Sequence, residues 1–326
     1  MRLSHVLLIV GIALAGLAAT TLASAQHPAR IGRLSPLSAE ADAPNLEAFR
    51  KGLRELGWVE GRTVALETRF ADGHADRLRA LAADLVGRGV NLILTGSSAG
   101  ALAAKSVTST VPIVMVTTGD PVADGIVASL ARPGGNVTGV TALGQVLNVK
   151  RLELIKEAVP GVTRVAVLVN PVSYYTPGII RDRQKAAEAL GLDVRIVEAT
   201  GPAGYEKAFA AMEADRIRAV MVQTDPAFIT DRRRIVEQAA RHRIPAVYGE
   251  REFVDAGGLM FYGASLATMY RDAAVYVDKI LKGARPADLP VEQPTKLELV
   301  INARTAKALG IAIPPAVLVR ADQVVE

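Results

Sequence analysis

Hydrophobic positions along the chain follow two spacings in turn, and these predict alternating strands and helices. Runs of consecutive apolar residues, such as Leu92–Thr95 and Arg164–Val169, are typical of strands buried on both faces. Between such runs, apolar residues recur every three or four positions, as Leu46, Phe49 and Leu53 do, which is the spacing of an amphipathic helix. Because parallel strands need crossover helices of this length, the pattern predicts an α/β protein with parallel sheets.

The strand–helix units fall into two sets, which predict two doubly wound parallel-sheet lobes. The predicted strands are Ile31–Ser35, Thr63–Phe70, Leu92–Thr95, Pro112–Thr118 and Val137–Val140, then Arg164–Val169, Val194–Val197, Ala219–Thr224, Pro245–Tyr248, Leu259–Tyr262 and Leu297–Ile301. The predicted helices are Asn45–Leu56, Asp76–Val86, one opening at Ala99, Lys150–Val159, Gly178–Leu190, Tyr205–Ala214, Ile229–Arg241, Ser265–Leu281 and Arg304–Leu309.

The order of these units predicts that the chain passes between the lobes three times. The crossings are expected near Leu143, near Gly249–Gly257 and near Leu289–Pro294. Lobe 1 is then formed by residues 26–143 and 250–289, and lobe 2 by residues 144–249 and 290–326. A boundary with three crossings acts as a three-strand hinge rather than a flexible tether.

The first residues, 1–25, predict a signal peptide that is removed on export. Arg2 precedes the apolar run Val6–Leu22, and Ala23–Ala25 has the small-residue pattern of a signal-peptidase site, so cleavage is expected before Gln26. The alternative is a membrane anchor, because an uncut run of about 20 apolar residues can span a bilayer. The chain has no cysteine, so neither disulfides nor the anchoring cysteine of a lipoprotein is expected. These features predict a protein free in the periplasm.

The charge pattern argues against a nucleic-acid partner. The formal net charge is +5, and the densest basic clusters are Arg232–Arg234 and Arg241–Arg243. Neither cluster is interleaved with aromatic residues or belongs to a nucleic-acid reader motif, so a solvated helix face is the better interpretation. The histidines are scattered, and no glycine-rich dinucleotide or phosphate loop is present, so we expect no metal and no cofactor.

Polar side chains follow the predicted strands at their carboxyl ends, where open parallel sheets bind ligands. The candidate ligand-binding residues are Ser35, Ser97, Ser98, Thr117, Thr118, Asn170, Tyr174, Tyr175, Thr224 and Asp225. This set is rich in hydroxyl and amide groups and poor in acid–base pairs. It predicts hydrogen bonding to a small polar solute rather than catalysis.

Several of these residues have two interpretations. Ser97 and Ser98 precede a helix, where they could seat a ligand carboxylate or simply cap the helix. Asp225 could receive a ligand ammonium group or form a turn ahead of Pro226. The tyrosine pair 174–175 could stack on a flat ligand, or it could serve surface or interlobe packing.

The segment 96–100 also matches the nucleophile elbow of serine hydrolases. Gly96, Ser98 and Gly100 stand at the motif positions, between a predicted strand and a predicted helix. A catalytic triad would need an acid and a histidine after the serine, and the only later histidine is His242, near the end of a basic helix. An exported serine hydrolase is therefore the alternative, and a binding protein is the favoured interpretation.

Four stretches carry a resemblance to a known family: FRKGLRELGW at 49–58, SLARPGGNVTG at 129–139, AVYVDKILKG at 274–283 and EQPT at 292–295. They resemble the tryptophan-binding-type family of ABC transporter substrate-binding proteins, and the likeness runs from about Ile31 to the C-terminus. The resemblance implies the type I periplasmic-binding-protein fold, with an inner-membrane ABC permease and its ATPase as partners. It also implies a small organic ligand, such as an aromatic amino acid or a related carboxylate.

The same resemblance implies where ligand contacts lie. Ser97, Ser98, Thr118, Asn170 and Asp225 fall in loops where such a family contacts its ligand. The tyrosine pair 174–175 departs from the small polar residues expected after Asn170-Pro171. We therefore expect a monomeric, extracytoplasmic solute-binding protein that closes by hinge bending, with a ligand-sensing module as a further alternative.

Overall fold

The protein is an α/β molecule built on two sheets. The computed structural model describes residues 28–172 and 187–326. Five strands form the first sheet in the order β2-β1-β3-β4-β5, and every neighbouring pair is parallel. These strands are β1 (Ala29–Ser35), β2 (Val64–Phe70), β3 (Leu92–Gly96), β4 (Ile113–Thr117) and β5 (Val137–Thr141).

Seven strands form the second sheet in the order β12-β11-β10-β9-β8-β6-β7. They are β6 (Arg164–Val169), β7 (Asp193–Glu198), β8 (Ala219–Val222), β9 (Ala246–Tyr248), β10 (Met260–Gly263), β11 (Glu298–Asn302) and β12 (Gln323–Val325). Among the strands in residues 28–172 and 187–326, the pair β10–β11 is antiparallel and the other pairs of this sheet are parallel. The chain leaves for the first lobe at the carboxyl end of β10 and comes back beside that same end, where Glu298 pairs with Gly263. β11 therefore runs in the direction opposite to β10.

Helices cover both sheets. In chain order they are α1 (Ala39–Glu55), α2 (Leu78–Gly87), α3 (Ser97–Lys105), α4 (Gly144–Ala158), α5 (Gly201–Ala214), α6 (Pro226–Thr230), α7 (Arg232–Arg241), α8 (Glu252–Asp255), α9 (Leu266–Leu281), α10 (Ala303–Ala308) and α11 (Pro315–Leu318). Short 3₁₀ helices span Ala75–Arg77 and Pro286–Asp288. No helix in the described ranges is long and apolar enough to cross a membrane.

The cores on the two faces of each sheet follow from the alternation of side chains along a strand. In β4, Val114 and Val116 pack with Phe49 of α1 on one face, whereas Ile113 and Met115 belong to the core on the other face. The second sheet has the same arrangement in β6 and β8, whose successive residues enter different cores. Double-sided burial is why these strands read as continuous apolar runs, and it confirms the predicted doubly wound lobes.

The chain crosses between the lobes three times, but one crossing differs from the prediction. The first follows β5, and Leu143 there has a left-handed backbone with φ of 43°. The second lies at residues 264–265, between β10 and α9, rather than at Gly249–Gly257. Because β10 pairs with β9, residues 260–263 lie in the second sheet, although the sequence analysis assigned 250–289 to lobe 1. The third follows Glu292, which pairs with Val140 of β5.

Helices α1, α4 and α5 begin earlier than their hydrophobic periodicity indicated, and α5 does so at Gly201 rather than Tyr205. Helix α1 begins at Ala39 rather than Asn45, because Ser38 caps it by accepting a hydrogen bond from the Ala41 N–H at 3.3 Å. Pro44 lies within this helix without ending it. Helix α4 begins at Gly144, directly after the first crossing, and not at Lys150.

The family-like stretch 129–139 holds the third crossing in place. Thr138 donates a hydrogen bond to the Leu289 carbonyl oxygen at 2.7 Å, and the Glu292 N–H donates to Gly139 at 3.1 Å. Asn136 donates to the carbonyl oxygen of Val111 at 2.9 Å. This stretch therefore joins the edge of the first sheet to the returning chain.

Several predictions concern residues outside the described ranges. The signal peptide 1–25 and its cleavage before Gln26 lie there, as does most of the predicted helix Gly178–Leu190. The residues 174 and 175, both tyrosines, also lie there.

Candidate functional site

A cleft lies between the lobes at the carboxyl ends of β1, β3, β4 and β8. It holds about 1240 Å³ of empty space, including its open mouth. Both lobes and helix α9 contribute to its lining. The polar lining residues are Asn45, Ser97, Ser98, Thr117, Thr118, Asp124, Asn148, Arg151, Gln223, Thr224, Asp225 and Tyr270. This is the position at which open α/β sheets bind ligands.

The cleft brings together most of the residues singled out from the sequence. The ones that line it are Ser97, Ser98, Thr117, Thr118, Thr224 and Asp225. Ser35 and Asn170 are buried just behind it: the Ser35 hydroxyl accepts from the Leu37 N–H at 3.2 Å, and Asn170 donates to Asp225 at 3.0 Å. Ser35 and Asn170 therefore support lining residues rather than facing the cleft.

Ser97 and Ser98 divide the two roles that the sequence left open. The Ser97 hydroxyl accepts from the Gly100 N–H at 3.2 Å, so it caps the first turn of α3. Ser97 also has φ of 63°, a left-handed conformation that costs energy in a residue other than glycine. The Ser98 hydroxyl instead lies 3.1 Å from the Thr117 hydroxyl, at the cleft surface. The start of α3 thus presents to the cleft the Ser98 hydroxyl and the first backbone N–H groups of the helix, which have no backbone acceptor within it.

Asp225 acts as a helix cap. One carboxylate oxygen, Oδ1, accepts from the N–H groups of Ala227 at 2.9 Å and Phe228 at 3.2 Å, at the start of α6. The same oxygen accepts from the Asn170 side chain. The side chain is 2 % exposed. Because these three donors all contact Oδ1, the turn interpretation accounts for one oxygen of this carboxylate.

Asp124 is a cleft residue that the sequence analysis missed. Together with Ser98 and Thr117 it surrounds Gly119, where a Cβ atom would lie 2.9 Å from the Asp124 carboxylate and would also clash with the Ser98 hydroxyl. We call Ser98, Thr117 and Asp124 the polar cluster. Burial raises the pKa of the Asp124 carboxyl, the Ser98 hydroxyl opposes this rise, and the negative charge of Asp120 reinforces it.

Arg151 brings a buried positive charge to the lobe 2 side of the cleft. Its Nε donates to the Tyr262 carbonyl oxygen at 2.8 Å, and its NH1 group donates to Asn148 at 2.8 Å. A Cβ at Gly249 or Gly263 would lie 3.1 to 3.2 Å from the guanidinium, so both glycines leave room for it. The guanidinium is held rigidly, which suits recognition of a ligand carboxylate.

A second buried arginine supports the cleft from lobe 1. Arg33 donates to both carboxylate oxygens of Asp42 at 2.6 and 2.7 Å, and both side chains are fully buried. The guanidinium also lies 4.3 Å from the ring centroid of Tyr270, within range of a cation–π contact. Asn45 donates to Asp42 at 3.4 Å. Tyr270 and Asn45 line the cleft, so this network fixes part of its floor.

Three apolar side chains also line the cleft. Leu37 of lobe 1 and Ile229 of lobe 2 are buried in one hydrophobic cluster, and Leu266 packs against that cluster. All three line the cleft, and we call them the apolar wall. Because its members come from both lobes and the second crossing, this wall exists only while the lobes are together.

The lobes contact each other at the mouth of the cleft. Leu37 and Ala41 pack in the same cluster as Phe228 and Ile229. Gly73, in the loop after β2, lies against Ala227, so a Cβ there would stand 2.9 Å from the Ala227 Cα. These contacts are those of a closed cleft.

Three cleft residues outside the candidate list, Asp124, Asn148 and Arg151, do not follow directly after strands. Asp124 lies seven residues beyond β4 in a turn, and both Arg151 and Asn148 lie on α4; Arg151 falls within the predicted helix Lys150–Val159, whereas Asn148 precedes it. Only the position of α4 directly after the first crossing could have placed these two residues near the cleft.

Among the described residues, the serine nucleophile of the hydrolase alternative has no histidine beside it. The Ser98 hydroxyl contacts Thr117, while His242 pairs with Glu213 at 2.6 Å and stacks on Phe209, on the outer side of lobe 2. Across residues 28–172 and 187–326, no group of three histidine, aspartate or glutamate side chains is arranged to hold a metal ion.

Comparisons with known proteins agree on one class. A family model described as ABC transporter substrate binding protein matches residues 30–325. The chain is 26 % identical to a tyrosine-binding protein of Clostridioides difficile over 280 residues, which cover 84 % of this chain and 80 % of that relative. The family-model match shows a family of substrate-binding proteins rather than enzymes, so the hydrolase alternative is wrong.

Solved structures show the same arrangement. A conserved domain protein from Vibrio cholerae superposes with a TM-score of 0.85 at 26 % identity, covering 91 % of this chain and 100 % of that chain. An ABC domain from Streptococcus pneumoniae in complex with L-Trp superposes with a TM-score of 0.83 at 26 % identity, covering 92 % of this chain and 100 % of that chain. The neighbours confirm the predicted type I periplasmic-binding fold.

Proposed function

The chain belongs to the family of ABC transporter substrate-binding proteins, and we propose that its ligand is an aromatic amino acid such as tyrosine or tryptophan. Two relatives bind those amino acids by their descriptions, one as a tyrosine-binding protein and one in complex with L-Trp. The observation that carries the proposal is that one cleft joins the polar cluster and Arg151 to the apolar wall. A zwitterionic head group and a large apolar side chain need these two kinds of surface together.

The ligand would bridge the lobes. Arg151 of lobe 2 supplies a fixed cation for the ligand carboxylate, and the start of α3 in lobe 1 adds backbone N–H donors. The aromatic side chain would lie against the apolar wall, where burial of a ring contributes the largest share of the binding free energy. Since these groups meet only when the lobes close, binding and closure are coupled.

In this proposal the protein works outside the cytoplasm as the capture component of an importer. The predicted signal peptide would deliver it to the periplasm, where the monomer hands its ligand to an inner-membrane permease driven by an ATPase. Uptake of labelled tyrosine or tryptophan should fall in cells that lack this chain and recover when it is supplied. Unchanged uptake would favour the sensing alternative.

The ligand assignment is tested by thermal shift and calorimetry on the mature chain from Gln26. Binding to the native state alone raises Tm, so tyrosine or tryptophan should give the largest rise among the standard amino acids. Arabinose and other sugars serve as the negative set. A rise with a sugar, or with aliphatic amino acids alone, would overturn the proposed ligand class.

A further inference from the structure

Asp124 is a cleft carboxylate without a cation to balance it among the described residues. It is partly buried and lines the cleft, and no lysine, arginine or histidine forms an ion pair with it in residues 28–172 and 187–326. The nearby Lys105 donates instead to the carbonyl oxygens of Gly125 at 2.8 Å and Ile126 at 2.9 Å. A partly desolvated carboxylate in this position attracts a cation from the ligand.

The surroundings of Asp124 carry further negative charge. Asp120 adds a second negative charge, and its own Oδ1 oxygen is occupied by the N–H groups of Val122 at 3.0 Å and Ala123 at 3.1 Å. Burial and this neighbouring charge both raise the pKa of Asp124 and so make its ionised form less favourable. A bound ammonium group would reverse that effect by pairing with the charge.

The geometry around Asp124 also suits the three N–H donors of an ammonium group. The Ser98 and Thr117 hydroxyls lie 3.1 Å apart, and both converge with the carboxylate on Gly119. Because Gly119 has no Cβ, the three side chains can crowd against its backbone and lie next to one another where they line the cleft. One carboxylate and two hydroxyl oxygens are acceptors of the kind that an ammonium group needs.

We infer that Asp124, assisted by Ser98 and Thr117, binds the ammonium group of the ligand and selects amino acids over their deaminated analogues. The inference rests on the proposed function, because it takes an amino acid as the ligand. It differs from the expectation placed on Asp225, whose Oδ1 oxygen already accepts from two backbone N–H groups and from Asn170.

The test compares paired ligands and paired variants by calorimetry on the mature chain. The ligands are L-tyrosine with para-hydroxyphenylpropionate, and L-tryptophan with indolepropionate, which differ only in the amino group. Asp124→Asn keeps the shape of the side chain and removes its charge, and Asp120→Asn removes a charge four residues away. We expect Asp124→Asn to weaken binding of the amino acid by about 30-fold or more and binding of the deaminated analogue by less than about threefold. Asp120→Asn removes a neighbouring charge but no ligand contact, so it should weaken binding of the amino acid clearly less than Asp124→Asn does.

The outcomes separate this inference from the proposed function. If wild-type protein binds tyrosine or tryptophan but Asp124→Asn weakens both members of a pair equally, or neither, the inference is wrong and the ligand class stands. If wild-type protein binds neither amino acid, the proposed ligand is wrong, and the same variants are compared on whichever amine-bearing compound raises Tm. If no amine-bearing compound binds, both are overturned. Ser98→Ala, which should weaken amino acid binding by a smaller factor, replaces Asp124→Asn if that variant does not fold.

Discussion

A Cβ atom at Gly73 in lobe 1 would lie 2.9 Å from the Cα atom of Ala227 in lobe 2, so the two lobes touch through backbone at the mouth of the cleft. Gly73 also has φ of 83°, a left-handed conformation that suits glycine. No side chain can give way at this contact. The lobes can therefore approach this closely only because residue 73 lacks a methyl group.

Gly73→Ala should hold the cleft partly open. We expect the ligand-saturated variant to keep a larger radius of gyration by small-angle scattering than wild type, and its affinity to fall by about tenfold, because the closed state loses stability relative to the open one. Gly61→Ala is the matched control, since Gly61 has φ of 82° and nothing within 4 Å of its added Cβ. Equal affinity and equal radius in the two variants would show that this contact does not govern closure.

Asp225 should contribute more to the stability of the fold than to binding of the ligand's ammonium group. Asp225→Ala removes the cap of α6 and the partner of Asn170, and we expect it to lower the free energy of unfolding by about 1 to 2 kcal/mol. Asp225→Asn keeps an acceptor oxygen and should lose less than half of that. Urea denaturation of both variants measures the difference. If Asp225→Asn keeps its stability but loses amino acid binding more strongly than Asp124→Asn, the original ammonium assignment to Asp225 is right.

Most of the fold could be read from the sequence because its cores are regular. In β4, Val114 and Met115 lie in the cores on opposite faces of the sheet. Because both faces are buried, successive residues of the strand are apolar, and this run is visible in the sequence. The second crossing was misplaced for a physical reason. The predicted crossing at Gly249–Gly257 lies within lobe 2, where a Cβ at the next residue, Gly258, would lie 2.6 Å from the Tyr248 ring and 2.7 Å from the Phe253 carbonyl oxygen. That glycine marks close packing inside lobe 2.

The site was predicted only where it follows the strands. Ser98, Thr117 and Thr224 lie at or just beyond strand ends, so the rule for open sheets found them. Asp124 and Arg151 reach the cleft from a turn and from a helix face, and their positions depend on how these elements pack. No local spacing in the sequence encodes that arrangement.

Glu250 should make the protein less stable as the pH rises toward neutrality. The side chain is 1 % exposed, neither carboxylate oxygen has a hydrogen-bond partner among the described residues, and burial raises its pKa to about 7. The charge of Arg151 opposes this rise, Glu252 and Asp225 reinforce it, and the Thr224 hydroxyl faces the carboxylate without reaching hydrogen-bonding geometry.

The sign follows from the raised pKa. A folded protein that holds a proton more tightly than the unfolded chain is stabilised below the unfolded pKa near 4.5, and this contribution, about 3 kcal/mol, is lost as pH rises through about 7. Glu250→Gln should remove that slope from the free energy of unfolding measured between pH 4.5 and 8. Glu206→Gln, at an exposed position of α5, should keep it. An unchanged slope in Glu250→Gln would assign the pH dependence to other groups.

Gly139 should be the most sensitive position of the family-like stretch 129–139. Its φ is 137°, and an added Cβ would clash with the Met115 carbonyl oxygen and lie 2.6 Å from the Met115 nitrogen, in the neighbouring strand β4. Neither backbone can move without breaking the pairing of β4 with β5. Gly139→Ala is therefore expected to lower the free energy of unfolding by about 3 kcal/mol or more, or to prevent folding.

Gly135→Ala in the same stretch provides the comparison, because nothing lies within 4 Å of its added Cβ, and it should unfold within about 0.5 kcal/mol of wild type. Thermal and urea unfolding followed by circular dichroism measure both. The contrast matters for how the stretch is interpreted. If Gly139→Ala folds normally but loses ligand binding, the stretch serves the ligand; if it loses stability while Gly135→Ala does not, the stretch exists to join β5 to the returning chain, as the Thr138–Leu289 hydrogen bond at 2.7 Å indicates.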